Sequence, residues 1–125
     1  MIAGIGIDLV EVARIRELTE RHGRRFLERT FTPAEIEYAD GRARRDEHLA
    51  ARFAAKEAAV KALGTGVRFG IKLTDVEVVT GPMGQPALRL VGEAARRASE
   101  LGVVATHVSI SHVKESAVAV VVLEK

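Results

Sequence analysis

The chain has 125 residues, 47% hydrophobic and 29% charged, a composition that excludes an intrinsically disordered chain and predicts a single folded domain over residues 1–125. It contains no cysteine, which excludes disulfides, thiolate metal sites and a cysteine nucleophile and fits a reducing, cytoplasmic environment. A formal net charge of +2 with only 4% aromatic residues argues against nucleic acid as a partner.

The N-terminal segment, residues 2–12, alternates between two sets of side chains and is predicted to be a β-strand. The two sets are Ile5, Ile7 and Leu9 on one face and Gly4, Gly6 and Asp8 on the other. The segment lacks the basic start of a secretory signal, and Asp8 interrupts its apolar run. Residues 117–123, the longest strongly apolar stretch near the C-terminus, are too few to span a bilayer, so no membrane partner is expected.

Four helices are predicted next in the chain. They cover residues 12–21, 24–29, 33 to about 38, and 47–63. The third begins at a capping box, in which Thr32 precedes Pro33 and Glu35 occupies the third helical position. Glycines follow the first, third and fourth helices and indicate their ends.

The C-terminal half is predicted to form strands around one helix. The expected strands cover residues 75–80, 87–91, 103–113 and 116–123, and the helix covers residues 93–101. This order of elements indicates an α+β fold, with helices packed on a mostly antiparallel sheet.

Asp8 is a carboxylate in an otherwise apolar strand, on the face where Gly4 and Gly6 leave space. Placing a carboxylate there costs free energy unless it is paired or bound to a cation. One interpretation is a strand-end cap or an ion pair. The other is a ligand of a hard metal such as Mg²⁺, which prefers one or two carboxylates together with phosphate oxygens and water.

The helix predicted over residues 47–63 carries charges on a surface suited to burial. An apolar stripe with Lys56 in its middle is formed by Leu49, Phe53, Val60 and Leu63. Alanines cover most of the remaining surface, and Glu57 and Lys61 lie one turn apart. An exposed Glu57–Lys61 ion pair fits this helix poorly, because so much alanine implies a buried surface. We favour the interpretation in which Glu57 is a second metal ligand and the Lys61 ammonium group binds a phosphate.

Two further segments carry polar groups with more than one interpretation. Gly64-Thr65-Gly66 either ends the helix or brings backbone N–H groups to a phosphate, and it does not match a P-loop. Residues 107–112 place His107, Ser109 and Ser111 on one strand face and His112 on the other. The segment lacks the G-x-S-x-G elbow of serine hydrolases, so serine hydrolysis is not favoured.

A basic face is predicted near the N-terminus. Helical spacing aligns Arg14, Leu18, Arg21 and Arg25, provided that the helix continues past Gly23. This face is either a solvated surface or a docking surface for an acidic partner helix, with Leu18 as its apolar anchor.

Four segments together resemble one protein family. They are Gly4-Ile5-Gly6-Ile7-Asp8-Leu9-Val10-Glu11, Arg52-Phe53-Ala54-Ala55-Lys56-Glu57-Ala58, Gly64-Thr65-Gly66 and His107-Val108-Ser109-Ile110. In length, order and spacing, the chain resembles the small bacterial 4′-phosphopantetheinyl transferases, the holo-[acyl-carrier-protein] synthases. The resemblance implies the fold of that family. It also implies Mg²⁺-dependent transfer of 4′-phosphopantetheine from coenzyme A to a serine of apo-acyl-carrier protein, releasing adenosine 3′,5′-bisphosphate.

The resemblance also implies roles for individual residues and a homotrimer with active sites at subunit interfaces. Asp8 and Glu57 become Mg²⁺ ligands and, with Lys61 near the pyrophosphate, the catalytic residues. The candidate contacts to coenzyme A are Arg44, Arg45, Arg52, Lys61, Gly64, Thr65, Gly66, Gly84, Pro86, His107 and Ser111. Glu57, or a water beside the metal, is the hypothetical general base.

One departure from the family pattern lies in the turn Met83-Gly84-Gln85-Pro86, where relatives often have Asn-Gly-Lys-Pro. The glycine and proline preserve the turn, but the lysine charge is missing. Carrier proteins of fatty acid and of polyketide synthesis are both compatible with the sequence, as are different acyl-coenzyme A donors.

Two rival functions remain open at this point. A non-catalytic trimeric module that binds coenzyme A or nucleotides gives no reason for carboxylates at Asp8 and Glu57. A nucleic-acid binder would use the basic cluster of residues 14–29 and would show steeply salt-dependent binding.

Overall fold

The computed structural model describes all residues from Met1 to Lys125, and its elements follow the predicted order with small shifts at their ends. The strands are β1 (Ile2–Glu11), β2 (Val76–Thr80), β3 (Pro86–Leu90), β4 (Ala105–His112) and β5 (Ser116–Glu124). The helices are α1 (Val12–His22), α2 (Arg24–Thr30), α3 (Pro33–Asp40), α4 (Arg45–Ala62) and α5 (Gly92–Glu100). A short 3₁₀ turn, Leu73–Asp75, precedes β2. None of the helices is long and apolar enough to cross a membrane.

The strands form two antiparallel sheets. β5 lies between β1 and β4 in a three-stranded sheet, and β2 pairs with β3 as a separate hairpin. In the larger sheet Gly6 lies opposite Val121, and Asp8 lies opposite Ala119. The predicted α+β fold with a mostly antiparallel sheet is confirmed.

Helix α4 packs across one face of the three-stranded sheet, which we call the inner face, and contacts β1 at backbone distance. A Cβ atom on Gly4 would lie 2.0 Å from the carbonyl oxygen of Ala62, and one on Gly6 would lie 1.9 Å from that of Ala58. The alanines of α4 are buried at this contact. The close approach of the two backbones therefore explains both the glycines of β1 and the alanines of α4.

A buried ion pair joins α3, α4 and β2. Lys56 is fully buried, and its Nζ donates to Glu35 Oε1 at 2.6 Å and to the carbonyl oxygen of Val76 at 2.5 Å. Glu35 also accepts from the backbone N–H groups of Thr32 and Val78, both at 2.8 Å. Burial lowers the pKa of Lys56, and the Glu35 carboxylate opposes that effect. Every polar atom of this pair is thus satisfied by a charge or a backbone group.

The outer face of the three-stranded sheet is exposed and largely apolar. Ile5, Ile7 and Leu9 of β1 are 64%, 62% and 71% exposed. The register places them beside Val118, Val120 and Val122 of β5, which are partly buried, and beyond these lie His107, Ser109 and Ser111 of β4. The outward residues of β4 are polar, so the apolar rows of this face lie on β1 and β5.

The first helix ends before Gly23, as the glycine predicted, so the condition for aligning Arg25 with Arg14 and Arg21 is not met. Helix α1 ends at His22, and Gly23 has a φ of +56°, which breaks the helical path. Arg25 therefore lies on α2, and its helical alignment with Arg14 and Arg21 is lost.

We expect Gly6→Ala to destabilise the fold by about 3 kcal/mol or more, because the new methyl group overlaps the Ala58 carbonyl and forces β1 away from α4. Urea unfolding measures the loss. Gly41→Ala is the matched control: Gly41 has a φ of −80° and its nearest Cβ contact is 3.9 Å, so a change within about 0.5 kcal/mol is expected. Equal stability of the two variants would contradict the proposed backbone contact.

Candidate active site

The contact between β1 and α4 brings Asp8 and Lys61 together. Asp8 follows Gly4 and Gly6 on the inner face of β1, so it faces the same helix. Lys61 Nζ donates to Asp8 Oδ1 and to the carbonyl oxygen of Ile7, each at 3.0 Å. The Asp8 side chain is mostly buried and that of Lys61 is half-exposed, so the pair opens to solvent on the lysine side.

Glu57 is the second carboxylate of this group. It lies one turn before Lys61 on α4 and is partly buried. Burial raises the pKa of Glu57, and the nearby charge of Asp8 raises it further, while Lys61 and Arg14 lower it. Lys61 thus pairs with Asp8, and the partly buried Glu57 keeps a raised pKa that a bound cation would lower.

The donor set of this group fits a hard divalent cation. Two carboxylates suit Mg²⁺, because this ion usually takes one or two protein carboxylates and fills its other coordination positions with water or phosphate oxygens. No group of three or more histidine, cysteine, aspartate or glutamate side chains is arranged so that it could hold a metal ion.

The loop Gly64-Thr65-Gly66 follows α4 directly. Gly64 and Gly66 have φ values of +81° and +62°, and the N–H of Gly66 donates to the carbonyl oxygen of Val60 at 3.1 Å. Between this loop and α5 lies a cavity of about 370 Å³. Its lining residues are Gly64, Thr65, Phe69, Ile71, Glu93, Arg96, Arg97 and Glu100. Two of the three predicted loop residues therefore line a cavity, at the end of the helix that carries Lys61.

Arg44 and Arg45 lie at the opposite end of α4. They line an open cavity of about 540 Å³ together with Val12, Arg16, Ala43, Asp46, Glu47 and Lys114. Arg16 pairs with Asp46 at 3.1 Å, and Arg45 pairs with Asp40 at 2.7 Å. Four basic side chains make this cavity suitable for an anion.

A third cavity, of about 200 Å³, contains Arg52. It is lined by Tyr38, His48, Ala51, Arg52, Val78, Thr80, Gly84, Pro86, Ile110 and His112, and thus joins three of the predicted contacts. Gln85, at the position of the missing lysine, accepts from the backbone N–H of Met83 at 2.8 Å and stays within its own turn.

His107 and Ser111 do not join Asp8 within one chain. Both lie on the outer face of the sheet, where His107 Nε2 is 3.0 Å from Glu124 Oε1, whereas Asp8 lies on the inner face. Sequence reasoning also missed Tyr38, His48 and Glu47 as neighbours of the cavity residues. Their side chains meet only through the packing of α3, α4 and β4.

The basic face of α1 borders the carboxylate group. Arg14 and Arg21 are exposed and Leu18 is half-buried, while Arg25 contributes to a separate groove on α2. The Arg14 guanidinium lies 5.9 Å from the centre of the Phe53 ring and is close enough to Glu57 to lower its pKa. A partner bound to α1 would therefore lie beside Asp8 and Glu57.

Known proteins match the chain over its whole length. A family model described as 4′-phosphopantetheinyl transferase superfamily matches residues 4–121. The chain is 52% identical over 124 residues to the holo-[acyl-carrier-protein] synthase of Koribacter versatilis, with 99% of each covered. The crystal structure of the synthase from Neisseria meningitidis has a TM-score of 0.91, 35% identity and complete coverage of both chains.

A second solved structure is that of a synthase from Bacillus anthracis in complex with CoA (3′,5′-ADP). It has a TM-score of 0.81 and 42% identity, and the match covers 99% of this chain and 97% of that one. These matches extend over the strand with Asp8, the helix with Glu57 and Lys61, and both sheets. The chain therefore belongs to the 4′-phosphopantetheinyl transferase superfamily and, within it, to the holo-[acyl-carrier-protein] synthases, as its motifs predicted.

Proposed function

We propose that this chain transfers 4′-phosphopantetheine from coenzyme A to a serine of apo-acyl-carrier protein and releases adenosine 3′,5′-bisphosphate. The observation that carries the proposal is the group of Asp8, Glu57 and Lys61 at the contact of β1 with α4. Membership of the synthase family supports the substrates, and the coenzyme A complex of a relative supports the donor.

The transfer needs charge neutralisation and alignment more than covalent chemistry. Asp8 and Glu57 would hold Mg²⁺, which when bound offsets the charge of the pyrophosphate. Lys61 exchanges its contact with Asp8 for a phosphate oxygen. The serine oxygen attacks the β-phosphorus of coenzyme A, and the bond from that phosphorus to the oxygen bridging the two phosphates breaks. The serine proton passes to Glu57 or to a water beside the metal.

The remaining predicted contacts are proposed to hold coenzyme A. The loop from Gly64 to Gly66 lies along the donor, and the arginines of the two basic cavities, Arg44, Arg45 and Arg52, bind its adenosine phosphate. His107 and Ser111 lie on the outer face, so they would contact the donor bound by another copy of the chain.

The metal proposal predicts that Asp8→Asn and Glu57→Gln each lower the rate of transfer by about 100-fold or more, because an amide does not replace a carboxylate as ligand. The assay follows the phosphopantetheine mass gain of an apo-carrier protein with coenzyme A and Mg²⁺. Mg²⁺ alone should raise the Tm of the unsubstituted protein and of neither variant. Full activity with excess chelator contradicts the proposed requirement for Mg²⁺. Binding of coenzyme A without any transfer supports the alternative of a non-catalytic binding module.

Glu57→Gln has a further expected effect on stability. A carboxyl whose pKa is raised in the folded state destabilises the fold above its unfolded pKa, so the neutral amide should stabilise the metal-free protein at pH 7. We expect the Tm to rise by up to about 5 °C, with the difference disappearing as the pH falls below the ordinary glutamate range. Calorimetric melts at pH 7 and pH 4 in chelator measure it.

A homotrimer is proposed because the outer face of the three-stranded sheet exposes apolar side chains. The exposed row on β1 and the partly buried row on β5 form a contiguous apolar patch, and three copies around one axis would bury it and bring His107 towards another copy's site. Light scattering should give three times the chain mass of 13.5 kDa at micromolar concentration. Ile5→Lys with Ile7→Lys should give monomers, whereas Val104→Lys, at an exposed residue off this face, should not. A monomeric unsubstituted protein refutes the trimer.

The carrier protein is proposed to dock on Arg14, Leu18 and Arg21, with Arg25 contributing from α2. A single Arg→Ala change should cost only a few-fold, since exposed charge pairs contribute about 0.2–1 kcal/mol. Arg14→Glu with Arg21→Glu should raise KM for the carrier protein far more than a single change does and far more than it alters KM for coenzyme A, and it should remove most of the salt dependence. Lys72→Glu with Arg89→Glu makes the same charge change elsewhere and is the control. An unchanged carrier-protein KM in the first variant indicates a merely solvated face.

A further inference from the structure

A carbonyl group at the end of α4 is held by an arginine of α5. Leu63, the residue that follows the helix, is 1% exposed, and Nε of Arg97 donates to its carbonyl oxygen at 3.2 Å. The last carbonyl groups of a helix have no partner within it, and an unpaired one in the interior costs free energy. No other group of the chain donates to this oxygen. Arg97 therefore completes the hydrogen bonding at the end of α4.

The charge of Arg97 is not engaged by a carboxylate. Its neighbour Arg96 lies 2.7 Å from Glu93 and 3.9 Å from Glu100, whereas Arg97 forms no ion pair. The Arg97 guanidinium lies instead beside Gly64, where its Nη2 would be 3.8 Å from an added Cβ atom. A positive charge is favourable there, because the C-terminal end of a helix carries partial negative charge. The contacts of Arg97 are thus made with α4 and the loop that follows it.

Two arginines hold carbonyl groups of this loop region. Arg97 holds that of Leu63, and Nε of Arg68 donates to that of Thr65 at 2.9 Å. The N–H of Gly66 bonds back to α4, but the N–H of Thr65 makes no hydrogen bond within the chain, although Thr65 is only 6% exposed. Backbone N–H groups of buried residues rarely lack a partner. The held loop therefore keeps one backbone donor available.

Resting on the proposed function, we propose that Arg97 is a positioning residue for donor binding: its bond to Leu63 holds the loop so that the Thr65 N–H is free for a phosphate oxygen of coenzyme A. Arg97 acts through the loop and does not itself touch the donor. Gly64 and Gly66 flank Thr65 and give an unheld loop many conformations, so ordering it would cost free energy on binding. Holding it beforehand removes that cost and acts on affinity for the donor. Lys61 keeps its own contacts to β1, so the chemical step is not affected.

Substitutions at Arg97 separate its hydrogen bond from its charge. The side-chain nitrogen of glutamine is bonded to Cδ, as Nε of arginine is, so Arg97→Gln keeps a donor at the same place along the side chain without the charge. Methionine has a similar length and no donor. We expect Arg97→Met to raise KM for coenzyme A about tenfold, while kcat and KM for the carrier protein change less than about twofold. Arg97→Gln should recover most of the loss.

Arg96→Met is the matched control, because Arg96 is the next residue of the same helix and lines the same cavity. It should leave all three constants unchanged. Hydrogen exchange of the Gly66 amide gives a second readout that does not depend on activity. This amide bonds to the carbonyl oxygen of Val60 at 3.1 Å and is protected while the loop keeps its conformation. Arg97→Met should speed its exchange about tenfold and Arg97→Gln should not, with the amides of β5 equally protected in both.

An unchanged KM for coenzyme A in Arg97→Met overturns the proposal. Equal losses in Arg97→Gln and Arg97→Met also overturn it, because they show that the arginine acts by its charge. If Arg97→Met does not fold, Arg97→Ala takes its place in both measurements. If the unsubstituted protein transfers nothing from coenzyme A, the proposed function fails and this inference fails with it, whereas transfer that Arg97→Met leaves unaltered removes this inference alone.

Discussion

The backbone contact between β1 and α4 determines where Asp8, Glu57 and Lys61, the proposed site residues, lie. Because Gly4 and Gly6 have no side chains, the strand lies against the carbonyl groups of the helix, and no other residue fits at these positions. Asp8 follows on the same face, so its carboxylate reaches Lys61 and comes under the influence of Glu57. Packing and chemistry are therefore linked: any change that separates the two elements also separates the two carboxylates.

The buried pair of Lys56 and Glu35 provides the second constraint. It connects α4 to α3 and, through backbone atoms of β2, to the hairpin that ends in the turn with Gly84. Desolvating two charges offsets much of their attraction, so the value of the pair lies in a unique arrangement more than in net stability. Only one rotation and one register of α4 place Lys56 between these partners. That rotation also turns Glu57 towards β1.

The predicted site residues occupy both faces of one sheet. Asp8 lies on the inner face and His107 on the outer face, and a single sheet cannot bring the two together. The outer face also exposes an apolar row that includes Ile7. Symmetric assembly would resolve both features at once, since it covers the apolar row and lets each copy complete a neighbour's site. In the proposed trimer, the strand sequence would therefore specify two surfaces, one within the chain and one between chains.

The sequence by itself predicted the elements and singled out two carboxylates as candidate metal ligands. Alternation, the capping box at Thr32 and glycine stops are local signals, and Asp8 and Glu57 stood out because charges in apolar or alanine-rich surroundings need a partner. The glycine at position 23 predicted the end of the first helix, and its positive φ separates Arg25 from the basic face of α1. Only the tertiary structure decided which distant charges meet: Glu35 with Lys56, 21 residues apart, and Glu47 with His112, 65 residues apart. Such pairs depend on the packing of whole elements, and no periodicity along the chain encodes that packing.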